Sequence, residues 1–362
     1  MSVSRLAEFV IVTILLTIVA VLPPAAAQSS SSAKPATIKF GYITGIAFPT
    51  FIIAEDRGYF AKENLKVEKI FLNGSGPVTE ALAAGNVEMG NTTPLSSILG
   101  TVKGAKVKML SAHENSFTDK AGNRWEGAFI TVRSGEGIKT LSDFRGKRVA
   151  INDIGSSYTY FLRAKLIELG IKPDEVTIIP IPFAQMAGAL LQKQVDAMIA
   201  TADGYLQAKS RAEVDVIGTQ TTLENLDVSV TSAFGVNNDY LAKNRDVVVR
   251  FLRAILQART WMREAVTKND PELLNLVAAS MKYSPERAKA FWETRGGYYG
   301  RELPNVNLID LPRRLIDRQV AVFKTAGLIE AGKDVKYETV VDITPLREAY
   351  TSLKLNWDES KH

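Results

Sequence analysis

Two copies of one strand, loop and helix pattern, a closing run of amphipathic helices and a chain long enough for two cores predict a two-lobe α/β protein. Each lobe is expected to hold a parallel-type sheet, with two hinge strands between the lobes and a helical C-terminal part. The pattern is clearest from Lys147 to Gly170. Arg148 to Ile151 alternates and is β-branched enough for a short strand, Asp153 to Ser157 makes a turn, and Tyr158, Phe161, Leu162, Leu166 and Leu169 then recur at helical spacing. The same order occurs 108 residues earlier. Gly41 corresponds to Val149, and Ala81-Leu82 through Gly85 to Val87-Glu88 corresponds to Ala189-Leu190 through Lys193 to Val195-Asp196.

The first copy reads as a strand over Ile38 to Ile43, a helix over Thr50 to Asp56 and a strand over Leu65 to Phe71. A helix follows over Val78 to Ala84 with Pro77 at its first position, then a strand stub over Val87 to Gly90, a helix over Ser96 to Val102 and a strand over Lys106 to Ser111. Ser111 to Trp125 is a long polar loop whose His113, Glu114 and Trp125 either reach the mouth of a cleft or decorate the surface. After a strand over Val228 to Gly235 the chain is helical, starting with an amphipathic helix that includes Val247, Val248, Phe251, Leu252, Ile255 and Leu256 and runs to about Val266. These C-terminal helices are expected around the first lobe, with Trp261, Trp292 and Trp357 as core or helix contacts.

Of 362 residues, 46% are hydrophobic and 23% charged, a balance that suits an ordinary globular protein and argues against disorder. The net charge of +5 is dispersed, with basic pairs such as Arg313-Arg314 and no longer run, so no nucleic-acid partner is expected. With no cysteine and only two histidines, thiol nucleophiles, disulfides, thiolate metal sites and imidazole clusters are excluded. No cofactor is expected. At the start, Arg5 precedes an apolar run from Phe9 to Leu22, shorter than the roughly 20 residues of a membrane span, and Ala25, Ala26 and Ala27 precede Gln28. Residues 1–27 read as a cleaved secretory signal peptide and 28–36 as a Ser-rich tether, which puts the mature chain outside the cytoplasm.

In open parallel sheets, ligands gather beyond the carboxyl ends of the strands. Six loops answer to that position: Thr44 to Pro49, Asn73 to Pro77, Asn91 to Pro94, Asp153 to Tyr158, Pro182 to Gln185 and Thr201 to Tyr205. Their candidate ligand-binding residues are Thr44, Phe48, Asn73, Ser75, Thr92, Thr93, Ser156, Ser157, Tyr158, Gln185, Thr201 and Asp203. Gly155, Ser156 and Ser157 fall where a loop becomes a helix. A hydroxyl there either only caps the helix or leaves backbone N–H groups to hold an anion at the positive end of the dipole. One helix end contributes about 0.3–1 kcal/mol, whereas micromolar binding needs about 8 kcal/mol, so several loops must act together. Tyr158, Phe48 and Phe183 are candidate apolar walls.

The motifs IKFGY, GYFAKENLKVE (Gly58 to Glu68), FLNGSG (Phe71 to Gly76), EALAAGNVEMG (Glu80 to Gly90), KTLSDFRGKRVAI (Lys139 to Ile151), the Gly-Ser-Ser helix start and ALLQKQVDAMI (Ala189 to Ile199) occur in that order. Together they resemble the nitrate, sulfonate and taurine family of periplasmic substrate-binding proteins, over about Ile38 to Ala265. The resemblance implies a type II-like two-lobe binding protein, monomeric and periplasmic, that closes on a small, anionic organic solute and delivers it to an ABC permease with its ATPase. It implies a first lobe of 37–127 plus 229–362, a second lobe of 128–228, and hinge strands near Phe129 to Arg133 and Val230 to Val236. Two alternatives remain: a ligand sensor for a signalling receptor, or an enzyme on the same scaffold. Similar enzymes include a thiamine-pyrimidine synthase with a cysteine-rich motif and a desulfinase with a cysteine nucleophile, residues this chain lacks. Where many relatives carry a Trp-x-Pro loop, this chain has Thr201-Ala202-Asp203-Gly204-Tyr205. A cleft-facing Asp203 carboxylate would repel a simple inorganic anion such as nitrate and accept from an amino or hydroxyl group.

Overall fold

The computed structural model describes residues 34–43, 48–72, 74–118, 124–224, 228–295, 311–330 and 332–357. The segment read as a signal peptide lies outside them. The first stretch contains β1 (Ala36–Ile43), α1 (Pro49–Asp56), α2 (Tyr59–Lys62), β2 (Leu65–Leu72), α3 (Ser75–Ala83), β3 (Met89–Thr92), α4 (Pro94–Val102), β4 (Val107–Thr118) and β5 (Arg124–Trp125). The second contains β6 (Phe129–Arg133), β7 (Arg148–Ile151), α5 (Ser157–Glu168), β8 (Thr177–Pro180), α6 (Phe183–Leu191), β9 (Ala197–Ala200), α7 (Ala202–Lys209), β10 (Val214–Thr219) and α8 (Gln220–Glu224). Then come β11 (Val228–Asn237), α9 (Asn238–Lys243), α10 (Arg245–Lys268), α11 (Pro271–Met281), α12 (Pro285–Thr294), α13 (Arg313–Thr325), α14 (Tyr337–Val340) and α15 (Thr344–Ser352).

These strands form two sheets, one in the order β2-β1-β3-β11-β4-β5 and the other β10-β6-β9-β7-β8. The internal repeat is borne out residue for residue in its middle. Helix α3 at 75–83 returns as α6 at 183–191, and β3 at 89–92 returns as β9 at 197–200, each 108 residues on. Within each copy the strands are parallel, β2-β1-β3 in one sheet and β8-β7-β9 in the other. The sheets as wholes are mixed. β11 runs antiparallel to both β3 and β4, and β6 antiparallel to both β9 and β10. Each of these is the first strand the chain makes after crossing from the other sheet, so the two segments expected as hinges are internal sheet strands. The crossings are Glu126 to Ala128 and the stretch that begins with α8.

Three further expectations change. The stretch from Ser111 to Trp125 is no surface loop: β4 extends to Thr118 and its end pairs antiparallel with β5. Helix α3 begins at Ser75, so Pro77 sits third in the first turn, where its missing N–H has no partner to lose. The C-terminal helices do not keep to one sheet. Helices α10, α11 and α15 pack against elements of the first, whereas α12 packs on α7 and α13 on both α5 and α4. Phe161 of α5 stacks on Phe323 of α13 at 5.7 Å, and Arg318 reaches Glu168 at 3.0 Å. The tryptophans are contact residues: Trp292 meets Trp125 at 4.8 Å, Trp357 meets Tyr350 at 5.2 Å, and Trp261 lies under Arg57.

Glycines at 41 and 90 face each other across β1 and β3 and let α3 dock on the sheet. A Cβ on Gly90 would lie 2.7 Å from Val78 Cγ1 and 2.9 Å from the Gly41 carbonyl oxygen, and backbone cannot give way cheaply. Gly90→Ala is expected to destabilise the fold by about 1–3 kcal/mol in urea denaturation. An unchanged midpoint would mean that α3 is not seated on this glycine pair.

Candidate functional site

Six helices begin at the carboxyl ends of parallel strands or the loops beyond them: α1, α3 and α4 beside the first sheet, α5, α6 and α7 beside the second. Only α4 has a side-chain cap, the Thr93 hydroxyl accepting from Ser96 N at 3.3 Å. The caps of the other five are Phe48, Gly74, Ser156, Pro182 and Thr201, and none makes a side-chain cap bond. No side chain caps their first turns, although Thr159 N of α5 and Gln185 N of α6 donate to the Ser156 and Pro182 carbonyls at 3.1 and 2.8 Å. Ser156 holds the cap position of α5 without capping through its hydroxyl, which lies 3.5 Å from that of Thr159; Thr159 in turn donates to the Asp153 carbonyl.

Beside the first sheet, the starts of α3 and α4 come together through hydroxyls. Ser75 Oγ lies 2.8 Å from Ser96 Oγ, and Thr93 Oγ1 lies 3.3 Å from Ser75 Oγ. Ser96 was not foreseen as a member, although the Thr93-Pro94 start places it on the first turn. Thr92 does not join them. It is buried with its hydroxyl bonded to Thr79 at 2.8 Å and Ser97 at 3.0 Å, on the helix-covered side of the sheet. Thr44 and Asn73 lie outside the described residues.

Beside the second sheet, Ser156, Ser157 and Tyr158 are half-buried at the start of α5, Thr201 is half-buried at the start of α7, and Gln185 is exposed on α6. Burial, with the charges of Glu126 and Glu224, pushes the Tyr158 hydroxyl well above its ordinary range, so it stays a neutral donor. Asp203 is not a bare carboxylate in a cleft. Its Oδ1 accepts from Arg287 Nη2 of α12 at 2.6 Å, and its Oδ2 accepts from Gln207 Nε2 at 2.8 Å. The reading that it repels an anion therefore fails, because Arg287 compensates it.

His113 is neither at a cleft mouth nor on a surface loop. It is buried between Phe48 at 4.3 Å and Phe234 at 4.4 Å, with Thr50 Oγ1 3.4 Å from its Nε2. Desolvation lowers its pKa to about 3, so it is a neutral imidazole. Trp125 is fully buried, with Arg295 over its ring. Glu114 lies in β4, and its side chain is outside those described.

Two buried carboxylates, both missed in the sequence, stand at the crossings. Glu126 accepts from Thr219 at 3.0 Å and from Thr221, while its backbone pairs with that of Arg295. Glu224 accepts from Ser229, from Gln220 at 3.2 Å and from Gln319 of α13 at 3.0 Å. Desolvation raises Glu224 to about 7 against the lowering effect of those donors, and Glu126 adds to the rise. A raised folded-state pKa gives stability that is fully present below about 4.5 and is lost as pH climbs through 7. Glu224→Gln should remove that loss. Its melting temperature is expected to exceed that of the unsubstituted protein at pH 8, by on the order of 2 kcal/mol of stability, with the advantage gone near pH 5. Parallel melting profiles across that range would contradict this account.

The chain belongs to the NMT1/THI5-like family, whose model matches residues 46–266. A candidate binding protein of Brucella abortus is 26% identical over 72% of this chain and 75% of its own length. A 4-amino-5-hydroxymethyl-2-methylpyrimidine phosphate synthase of Schizosaccharomyces pombe is 23% identical over 71% of this chain and 73% of its own. Among solved structures, the aliphatic sulphonate binding protein SsuA of Escherichia coli superposes with a TM-score of 0.64 at 20% identity, covering 84% of this chain and 91% of that one. The nitrate-binding protein NrtA of Synechocystis PCC 6803 gives 0.66 at 17% identity over 89% and 90%. The fold is that of the periplasmic binding proteins.

Proposed function

We propose that this chain is an extracytoplasmic solute-binding protein that captures a small organic solute between two lobes and delivers it to an ABC permease with its ATPase. The first lobe comprises residues 37–127 with 229–362 and the second 128–228; residues 1–27 are a cleaved signal peptide and 28–36 a tether that leaves the monomer in the periplasm. The observation that carries this reading is the set of five helix starts without side-chain caps, shared between the carboxyl ends of both sheets. Such ends serve a ligand's acceptor atoms, and each is too weak alone to hold one. The solute therefore offers an acceptor or anionic group, as a sulfonate, a taurine-like compound or a carboxylate does. Ser75 and Thr93 serve it from the first lobe, and Ser156, Ser157, Tyr158, Gln185 and Thr201 from the second, with Thr44 and Asn73 in the adjoining loops. Likeness to binding proteins that superpose over most of their length supports the reading. The role is binding without turnover; the sequence has no cysteine, so thiol-nucleophile chemistry is excluded.

A thermal-shift screen of the purified protein against sulfonates, taurine, aromatic carboxylates, carboxamides and nitrate tests this. A solute at 100 times its dissociation constant adds about 2.7 kcal/mol of stability, and at least one organic compound is expected to do so. Ser157→Asp, which sets a negative charge at the start of α5, should abolish that shift while leaving the far-UV circular dichroism unchanged. Undiminished binding in that variant would remove α5 from the site, and no shift with any compound would overturn the reading.

A further inference from the structure

In the first sheet, Asn91 stands out because both polar atoms of its side chain lack partners. It sits near the carboxyl end of β3, is fully buried, and neither its Nδ2 nor its Oδ1 has a hydrogen-bond partner. Native proteins rarely leave both halves of a buried amide unmet, because each was stripped of water to get there.

Its surroundings follow from the register. Phe40 pairs with Met89 and Phe234 with Asn91, so side chains alternate such that Tyr42, Asn91 and Phe234 emerge side by side on one face of the sheet. The opposite face is the one where Gly41 and Gly90 meet α3. Phe48 stands edge-on to Tyr42 at 5.3 Å and to His113 at 4.3 Å, and His113 in turn meets Phe234 at 4.4 Å. Tyr42, Phe48, His113 and Phe234 thus form a chain of rings, and both of its ends, Tyr42 and Phe234, flank Asn91 on the same face of the sheet. None carries a charge, because His113 is neutral and burial holds Tyr42 protonated. Lys69 lies over the Tyr42 ring, but its ammonium is bound by Glu55 at 2.6 Å.

We propose that Asn91 reads the solute: its Nδ2 donates to, and its Oδ1 accepts from, a planar amide edge presented beside the Tyr42, Phe48, His113 and Phe234 rings. The solute class is then a primary carboxamide, lactam or imide on a flat ring, whose acceptor end faces the open helix starts. This rests on the solute-binding reading and narrows it. An adjacent donor and acceptor are what an amide side chain complements, and a carboxylate or sulfonate in the same place would lack the donor that Oδ1 needs. A discriminating site of this kind rejects the analogue without the hydrogen bond, because its own polar atoms are then left unpaired.

The test compares 4-carbamoylbenzoate, benzamide and uracil with benzoate and benzenesulfonate by thermal shift and calorimetric titration, on the unsubstituted protein, Asn91→Leu and Asn91→Asp. The amides are expected to bind at least tenfold more tightly than their acid counterparts, and both variants to lose that preference. Asn91→Leu supplies a readout that needs no ligand. Replacing an unpartnered amide with an apolar group of similar size should raise the ligand-free melting temperature by about 2 °C. A fall in that temperature would mean that a permanently bound water completes the amide, and would overturn the proposal. Binding of acids alone, unaltered in Asn91→Leu, would overturn it while leaving solute capture standing. No binding by any compound would remove the solute-binding reading and this one with it.

Discussion

The two crossings between sheets are the constraint on which the architecture depends. Each sheet has three adjacent parallel strands next to an antiparallel strand that the chain supplies on arriving from the other side: β6 between β9 and β10 in the second sheet, β11 between β3 and β4 in the first. The first sheet is complete only once the chain has returned from the second, whose five strands all come from the one continuous stretch 129–219. The carboxylates of Glu126 and Glu224 lie where the chain changes sheets, and hydroxyl and amide donors hold them. Buried carboxylates are costly, and the polar network that holds them fixes the local path of the backbone. Helix α13 ties the arrangement together through Gln319 on Glu224 and Phe323 on Phe161.

The electrostatics of the candidate site follow from what the sheets leave open. Helix starts without caps give an acceptor-seeking rim beside both sheets, while the face of the first sheet beneath α1 is aromatic and neutral. Arg287 cancels Asp203, and burial keeps His113 uncharged, so on the proposed reading selectivity comes from hydrogen-bond direction rather than from net charge. A rim that welcomes acceptors and a floor that offers a matched donor and acceptor suit one molecule with two unlike ends.

Much of this was legible in the sequence because it was written in local periodicity. The 108-residue repeat, the six loops and the helix starts all follow from spacing and from Gly, Ser and Pro positions. What escaped depended on contacts far apart in the chain. His113 read as a residue of a cleft mouth or of a surface loop, yet the strand pairing of β4 with β11 carries that histidine into an aromatic core. Asp203 read as a free charge because Arg287 is far along the chain. Thr92 and Asn91 are neighbours with opposite fates: strand alternation sends the hydroxyl under α3 and α4 and the amide to the other face, and only the register says which is which. Glu126 and Glu224 gave no signal because their partners are scattered hydroxyls and amides with no common motif.

The most direct measurement of the central claim is the side-chain NH2 resonance of Asn91, assigned in asparagine-labelled protein by its absence from Asn91→Leu. The account requires this pair to shift downfield when 4-carbamoylbenzoate is added to saturation, as a free donor acquires an acceptor. A resonance that stays in place while the same compound binds would show that the amide is occupied otherwise and that the solute is recognised elsewhere.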